Sequence, residues 1–101
     1  PRPTCPRHIA HQPPCDYFKP AGIPLRDLEE TVLLPEEVES LRLADAENLY
    51  RVDAAARMGV SRQTFDRIVR KARHKVAVAL TVGNALRLER TPSKDTPPQE
   101  A

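Results

Sequence analysis

Tryptophan is absent, and only four side chains are aromatic: Tyr17, Phe18, Tyr50 and Phe65. A chain of 101 residues this poor in rings has a small core and room for one compact unit, which excludes a large catalytic domain. Glycine is equally scarce. With only Gly22, Gly59 and Gly83, no glycine-rich phosphate loop can be built. No apolar run approaches the ~20 residues that cross a bilayer, and no stretch resembles a signal peptide, so the expected compartment is the cytoplasm. The proline at position 1 is expected of a chain that has lost its initiator methionine. In that compartment two cysteines, Cys5 and Cys15, argue for free thiols or metal ligands over a structural disulfide.

Proline is abundant and unevenly placed. Seven of the eleven lie in residues 1–24 and three in 92–98, with Pro35 alone between them. Each proline removes a backbone donor and pushes the preceding residue out of the α region, so 1–24 reads as an extended arm, anchored by Tyr17 and Phe18. Residues 25–90 form the expected folding unit, and the apolar-poor tail 91–101 is expected to be disordered. A lone domain of that size buries only about 60% of its unfolded surface, so stability is expected to be marginal.

The net charge of +2 conceals a division along the chain. Residues 34–50 carry Arg42 against Glu36, Glu37, Glu39, Asp45 and Glu47, a balance of −4. Residues 51–80 carry eight cations against Asp53 and Asp66, a balance of +6. A basic segment of this kind is the footprint of a nucleic-acid-binding face, although a charge run alone is also what a solvated helix shows.

Local signals divide the unit into helices. Pro35 suits a first helical position, and Glu36 and Glu37 suit the positive end of the helix dipole. A helix is expected from there to Ala46, with Leu34, Val38, Leu41 and Ala44 as its apolar stripe. The acidic run 36–47 is accounted for by the dipole and by solvation. Residues 25–33 mix helix and strand signals and are expected to connect. A second helix covers Arg51–Met58 and ends at Gly59, and Ser61 caps a third that runs to about Thr81. Residues 85–89 alternate as a short strand would.

The segment from Arg51 to Ile68 reads as a helix-turn-helix. That motif crosses two helices over a short turn and so needs small and apolar residues at fixed offsets. Ala55 is small at the expected close approach, Gly59 stands in the turn, and Ala54, Met58, Val60, Phe65 and Ile68 seal the wedge. An ordinary αα-hairpin is the plainer alternative. At about 100° per residue from Phe65, a core stripe of Ile68, Val69, Ala72, Val76, Ala79 and Leu80 stays within roughly 60°, while Gln63, Arg67, Arg70 and His74 point the other way. A recognition helix reads base edges with its first turns, which nominates Arg62, Gln63, Asp66, Arg67 and Arg70. Asp66 could equally form an i,i+4 pair with Arg62 or Arg70. Ser61, Thr64, Lys71, Arg73 and Lys75 are expected at phosphates, and His74 at phosphate or solvent.

Two features stand apart. Ala77 and Val78 make the end of the third helix apolar all round, so a cover is required: the 85–89 strand with the arm, or a second subunit. A homodimer is the expectation. Cys5, His8, His11 and Cys15 fall within eleven residues. They form a Cys₂His₂ set that could hold zinc, although the spacing differs from the usual two pairs divided by a longer folded stretch. Coincidental clustering in the arm is the plainer reading, with no cofactor. No nucleophile has a base at motif spacing, so neither an enzyme nor a small-molecule substrate is expected.

The segments YFKPAGIPLRDLEE (17–30), ESLRLADAENL (39–49), AAARMGVSRQTFDRI (54–68), ARHKVAVAL (72–80) and GNALRLE (83–89) resemble the domain-of-unknown-function-134 family of predicted prokaryotic DNA-binding proteins. The resemblance implies a helix-turn-helix similar to the fourth region of sigma factors and a role in transcription regulation. Where similar sequences carry a small cap residue and a glutamine, this chain has Tyr50 and Arg51. The overall expectation is a mainly α fold: a three-helix core with an extended N-terminal arm and a short C-terminal strand. Its expected function is sequence-specific binding of double-stranded DNA. A metal- or redox-responsive module sensing through the arm, and a protein interaction module, are the alternatives.

Overall fold

The computed structural model describes residues 9, 10 and 12–90. Cys5, His8 and His11 of the possible ligand set, and the tail 91–101, lie outside the described residues. The fold is mainly helical. Helix α1 spans Pro35–Leu41 and continues into a π turn over Arg42–Ala46; α2 spans Arg51–Met58 and α3 spans Arg62–Val82. Among the described residues three short strands accompany them: β1 (Tyr17–Phe18), β2 (Glu30–Leu33) and β3 (Ala85–Leu88). Among the described residues no helix is long and apolar enough to cross a membrane.

The core lies where α1, α2 and α3 meet. Leu43, Ala54, Ala55, Met58, Phe65, Ile68 and Val69 are buried together, with Leu41, Ala44, Leu49 and Val60 packed at the margin. The residues expected to seal the wedge between α2 and α3 therefore do so. Phe65 is the largest of the fully buried side chains, and burying one phenylalanine contributes about 1.5–3 kcal/mol.

Helix α1 departs from expectation. Its stripe Leu34, Val38, Leu41 and Ala44 is only half-buried, and the side facing α3 is instead Glu37, Ser40 and Leu43, three residues apart on one helical face. Glu37 accepts from Lys75 Nζ of α3 at 2.7 Å and from the Leu34 amide at 2.9 Å, and Lys75 also donates to the Val32 carbonyl at 2.8 Å. Glu39, also buried, takes Arg42 Nε and Nη2 at 3.1 and 2.8 Å and the Ala10 amide at 3.2 Å. The acidic run is thus not simply solvated. Two of its carboxylates are buried and paired, as a buried charge requires.

The sheet joins segments far apart in sequence. β3 is central, antiparallel to β1 (Tyr17 opposite Arg87) and parallel to β2 (Thr31 opposite Leu86). Part of the expected connector 25–33 is therefore a strand, and part of the expected arm is an edge strand. Phe18 is 54% exposed, so the anchoring comes from backbone pairing, including the Leu88 amide on the Asp16 carbonyl at 2.9 Å, more than from aromatic burial. The Tyr17 hydroxyl donates to Glu30 at 2.8 Å. That bond lowers the Glu30 carboxyl below its ordinary range and raises the phenol above its own.

Candidate nucleic-acid interface

The α2–α3 pair owes its geometry to two local devices. At the end of α2, Gly59 adopts φ 70° and ψ 32°, with its amide on the Ala56 carbonyl and the Val60 amide on the Ala55 carbonyl, 3.1 and 3.0 Å away. These are the paired bonds of a Schellman motif, which needs a left-handed residue that glycine supplies at little cost. Two residues later Ser61 caps α3. Its Oγ accepts from the Thr64 amide at 3.1 Å and donates to Thr64 Oγ1 at 3.0 Å. The turn is therefore short and fixed at both ends, and it seats Phe65, Ile68 and Val69 of α3 in the core while Arg62, Gln63 and Arg67 face outward.

On that helix Arg62, Gln63, Arg67, Arg70, Lys71 and His74 are all exposed, and none of their side chains makes a hydrogen bond or ion pair among the described residues. Thr64 is half-buried, and the hydroxyls of Ser61 and Thr64 already serve the cap. Asp66 is half-buried beside Arg51 of α2, whose Nε lies 3.3 Å from Oδ1. Its partner is thus neither Arg62 nor Arg70. That Oδ1 is buried and has no aligned hydrogen bond, so it cannot reach a base edge.

Two cations expected at phosphates are engaged elsewhere. Arg73 donates to both oxygens of Asp45 through Nε and Nη2, at 3.1 and 2.7 Å. The Asp45 carboxyl is held below its ordinary range by those bonds, and the guanidinium is raised in turn. Lys75 is committed to Glu37 and Val32, which makes it a tie between α3, α1 and β2. At the far end of α3, Leu80 leaves the core stripe to which it was expected to belong. It is 75% exposed and Val82 is 69% exposed, whereas Ala79 beside it is buried. Of the possible metal ligands only Cys15 is described, and it is an exposed free thiol. Among the described residues no group of three or more histidine, cysteine or acidic side chains could hold an ion.

Arg51 was not among the expected interface residues. The one signal available was its cationic side chain at the first position of α2, near enough to α3 to meet an acidic residue there.

The comparisons join this geometry to a family. Residues 1–92 match the family described as "Protein of unknown function DUF134". The chain belongs to the DUF134 family. A "UPF0251 protein" of Moorella thermoacetica is 56% identical over 89 residues, covering 88% of this chain and 60% of that protein. One from Desulforudis audaxviator is 58% identical over 87 residues, 86% of this chain and 56% of the relative. One from Shewanella halifaxensis is 48% identical over 94 residues, covering 93% and 98%. The DUF134 chain thus spans a little over half the length of the first two relatives and nearly all of the third. No solved structure matches it.

Proposed function

We propose that this DUF134 protein is a sequence-specific, double-stranded-DNA-binding regulator of transcription that acts in the cytoplasm without enzymatic activity. The observation that carries the reading is the unengaged set Arg62, Gln63, Arg67, Arg70, Lys71 and His74 on α3. A helix so placed, capped at its start and braced by a second helix across a short turn, has the shape that enters a major groove. Arg67 suits guanine O6 and N7, Gln63 suits adenine N6 and N7, and Arg70, Lys71 and His74 suit flanking phosphates.

The exposed Leu80 and Val82 support a homodimer through the ends of two α3 helices. Paired recognition helices read two half-sites related by the same two-fold axis.

The test is selection of bound sequences from random duplex DNA, followed by titration of the selected site over a range of salt. Affinity is expected to fall with a log–log slope of about −0.9 per phosphate contact. Gln63→Ala and Arg67→Ala are each expected to cost about 1–3 kcal/mol of specific binding and to relax preference at one base position. Failure to enrich any sequence, or undiminished affinity in both variants, would overturn the assignment.

A further inference from the structure

Beside the base-reading face, the boundary between α2 and α3 holds a second feature. Arg51, Asp66, Val69, Arg70 and Arg73 line a pocket of about 100 Å³. On α3, at about 100° per residue, Val69, Arg73, Asp66 and Arg70 stand roughly 40°, 80°, 100° and 140° from Phe65. The pocket therefore occupies the flank between the core stripe and the exposed face. Three guanidiniums surround it against one carboxylate in its wall, and that carboxylate is already set against Arg51.

We propose that this pocket is an oxyanion site that seats one phosphate of the duplex backbone at the edge of the groove, a role that rests on the DNA-binding reading above. The donors are available. Asp45 takes Nε and Nη2 of Arg73 and leaves Nη1. Asp66 meets Arg51 through Nε, leaving both Nη groups. Arg70 has no partner among the described residues, so its whole fork is open. Two carboxylates thus hold two guanidiniums in place without using up their N–H groups, which reduces the ordering cost of binding. A guanidinium fork matches two phosphate oxygens at once, where a lysine supplies only a point charge.

The test uses the full chain labelled with nitrogen-15, with arginine Nε–Hε signals followed during separate additions of inorganic phosphate and of a random-sequence duplex. Both are expected to shift the Arg51 and Arg70 signals saturably and to leave Arg57, elsewhere on α2, unmoved. In duplex titrations Arg51→Gln is expected to reduce the salt slope by about 0.9, so a fourfold rise in salt weakens it about 3.5-fold less than the parent. Arg57→Gln keeps the parental slope. Because Arg51→Gln leaves Asp66 without its cation, Arg70→Gln serves as the second variant, and it is expected to abolish the phosphate-induced shift at Arg51. Shifts with inorganic phosphate but no duplex binding would keep the oxyanion site and overturn both its assignment to the DNA backbone and the groove-binding function. Duplex binding with no shift at Arg51 and a parental slope in Arg51→Gln would overturn the pocket and leave groove binding standing.

Discussion

Replacing Lys75 by methionine separates a structural role from a nucleic-acid role for one cation of the basic segment. The Lys75 side chain is 22% exposed and that of its partner Glu37 is 3% exposed, with 2.7 Å between them. Methionine keeps most of the aliphatic stem, so packing against β2 is largely retained while the charge and the bond to the Val32 carbonyl go. Removing one partner of a buried pair costs about 3–5 kcal/mol, and the partial hydration of Lys75 brings the expected loss to about 2–3 kcal/mol. For a domain of this size that lowers the melting temperature by roughly 8–24 °C. Calorimetry or urea unfolding monitored by circular dichroism measures it directly. The double variant Glu37→Gln with Lys75→Met should recover part of the loss, since glutamine still accepts from the Leu34 amide at the start of α1 and leaves no unpaired charge. The coupling between the two sites is expected at about 1–3 kcal/mol. A Lys75→Met protein within about 0.5 kcal/mol of the parent but with a shallower DNA salt slope would refute the reasoning and return Lys75 to the phosphates.

Three further outcomes are expected. Gly59→Ala places a side chain at φ 70° in the turn between α2 and α3 and should destabilise the fold by about 1–2 kcal/mol in urea unfolding, whereas Ala56→Gly on the exposed side of α2 should cost less, about 1 kcal/mol. The Asp45 carboxyl lies below its ordinary range because Arg73 donates to it. The pair therefore adds stability above the unfolded value of about 3.9 and loses it as pH falls through the lower folded value. Both side chains are nearly half exposed, so Asp45→Asn should cost less than about 1 kcal/mol at pH 7 and should flatten the acid limb of the stability curve. Leu80→Glu should convert a dimer to a monomer in sedimentation velocity without lowering the melting temperature of the monomer, because the side chain is 75% exposed. A protein that sediments as a monomer before the substitution would sink the dimer.

What the sequence made legible follows from how far each signal reaches. The α2–turn–α3 unit was readable because its determinants are local: Gly59 closes a bond over five residues, and Ser61 caps an amide three residues away. β2 was not, since Glu30–Leu33 becomes a strand only by pairing with Ala85–Leu88 more than fifty residues later. Helix α1 misled for the same reason. Glu37 and Glu39 look like solvent residues until Lys75 and Arg42 are brought beside them, and the first of those lies 38 positions on. A helical wheel gives the direction of a side chain but not what stands in that direction. Residues near 180° from Phe65, such as Gln63, Arg67 and His74, were exposed as expected, because none of the described residues packs against that side. The wheel failed on the flanks. Arg73 at about 80° and Lys75 at about 280° both meet acidic residues of the α1 segment, and Leu80 at about 60° lies outside the core. The basic balance of residues 51–80 therefore overstates the charge offered to a partner. Lys75 is withdrawn into the fold, and Arg51 and Arg73 are half-withdrawn and left lining the pocket. Within residues 51–80 the cations with no partner among the described residues are Arg57 on α2 and a compact group on α3: Arg62, Arg67, Arg70 and Lys71. That group, with the N–H groups that Arg51 and Arg73 keep free in the pocket, is the electrostatic footprint a duplex would meet, rather than the net charge of the segment.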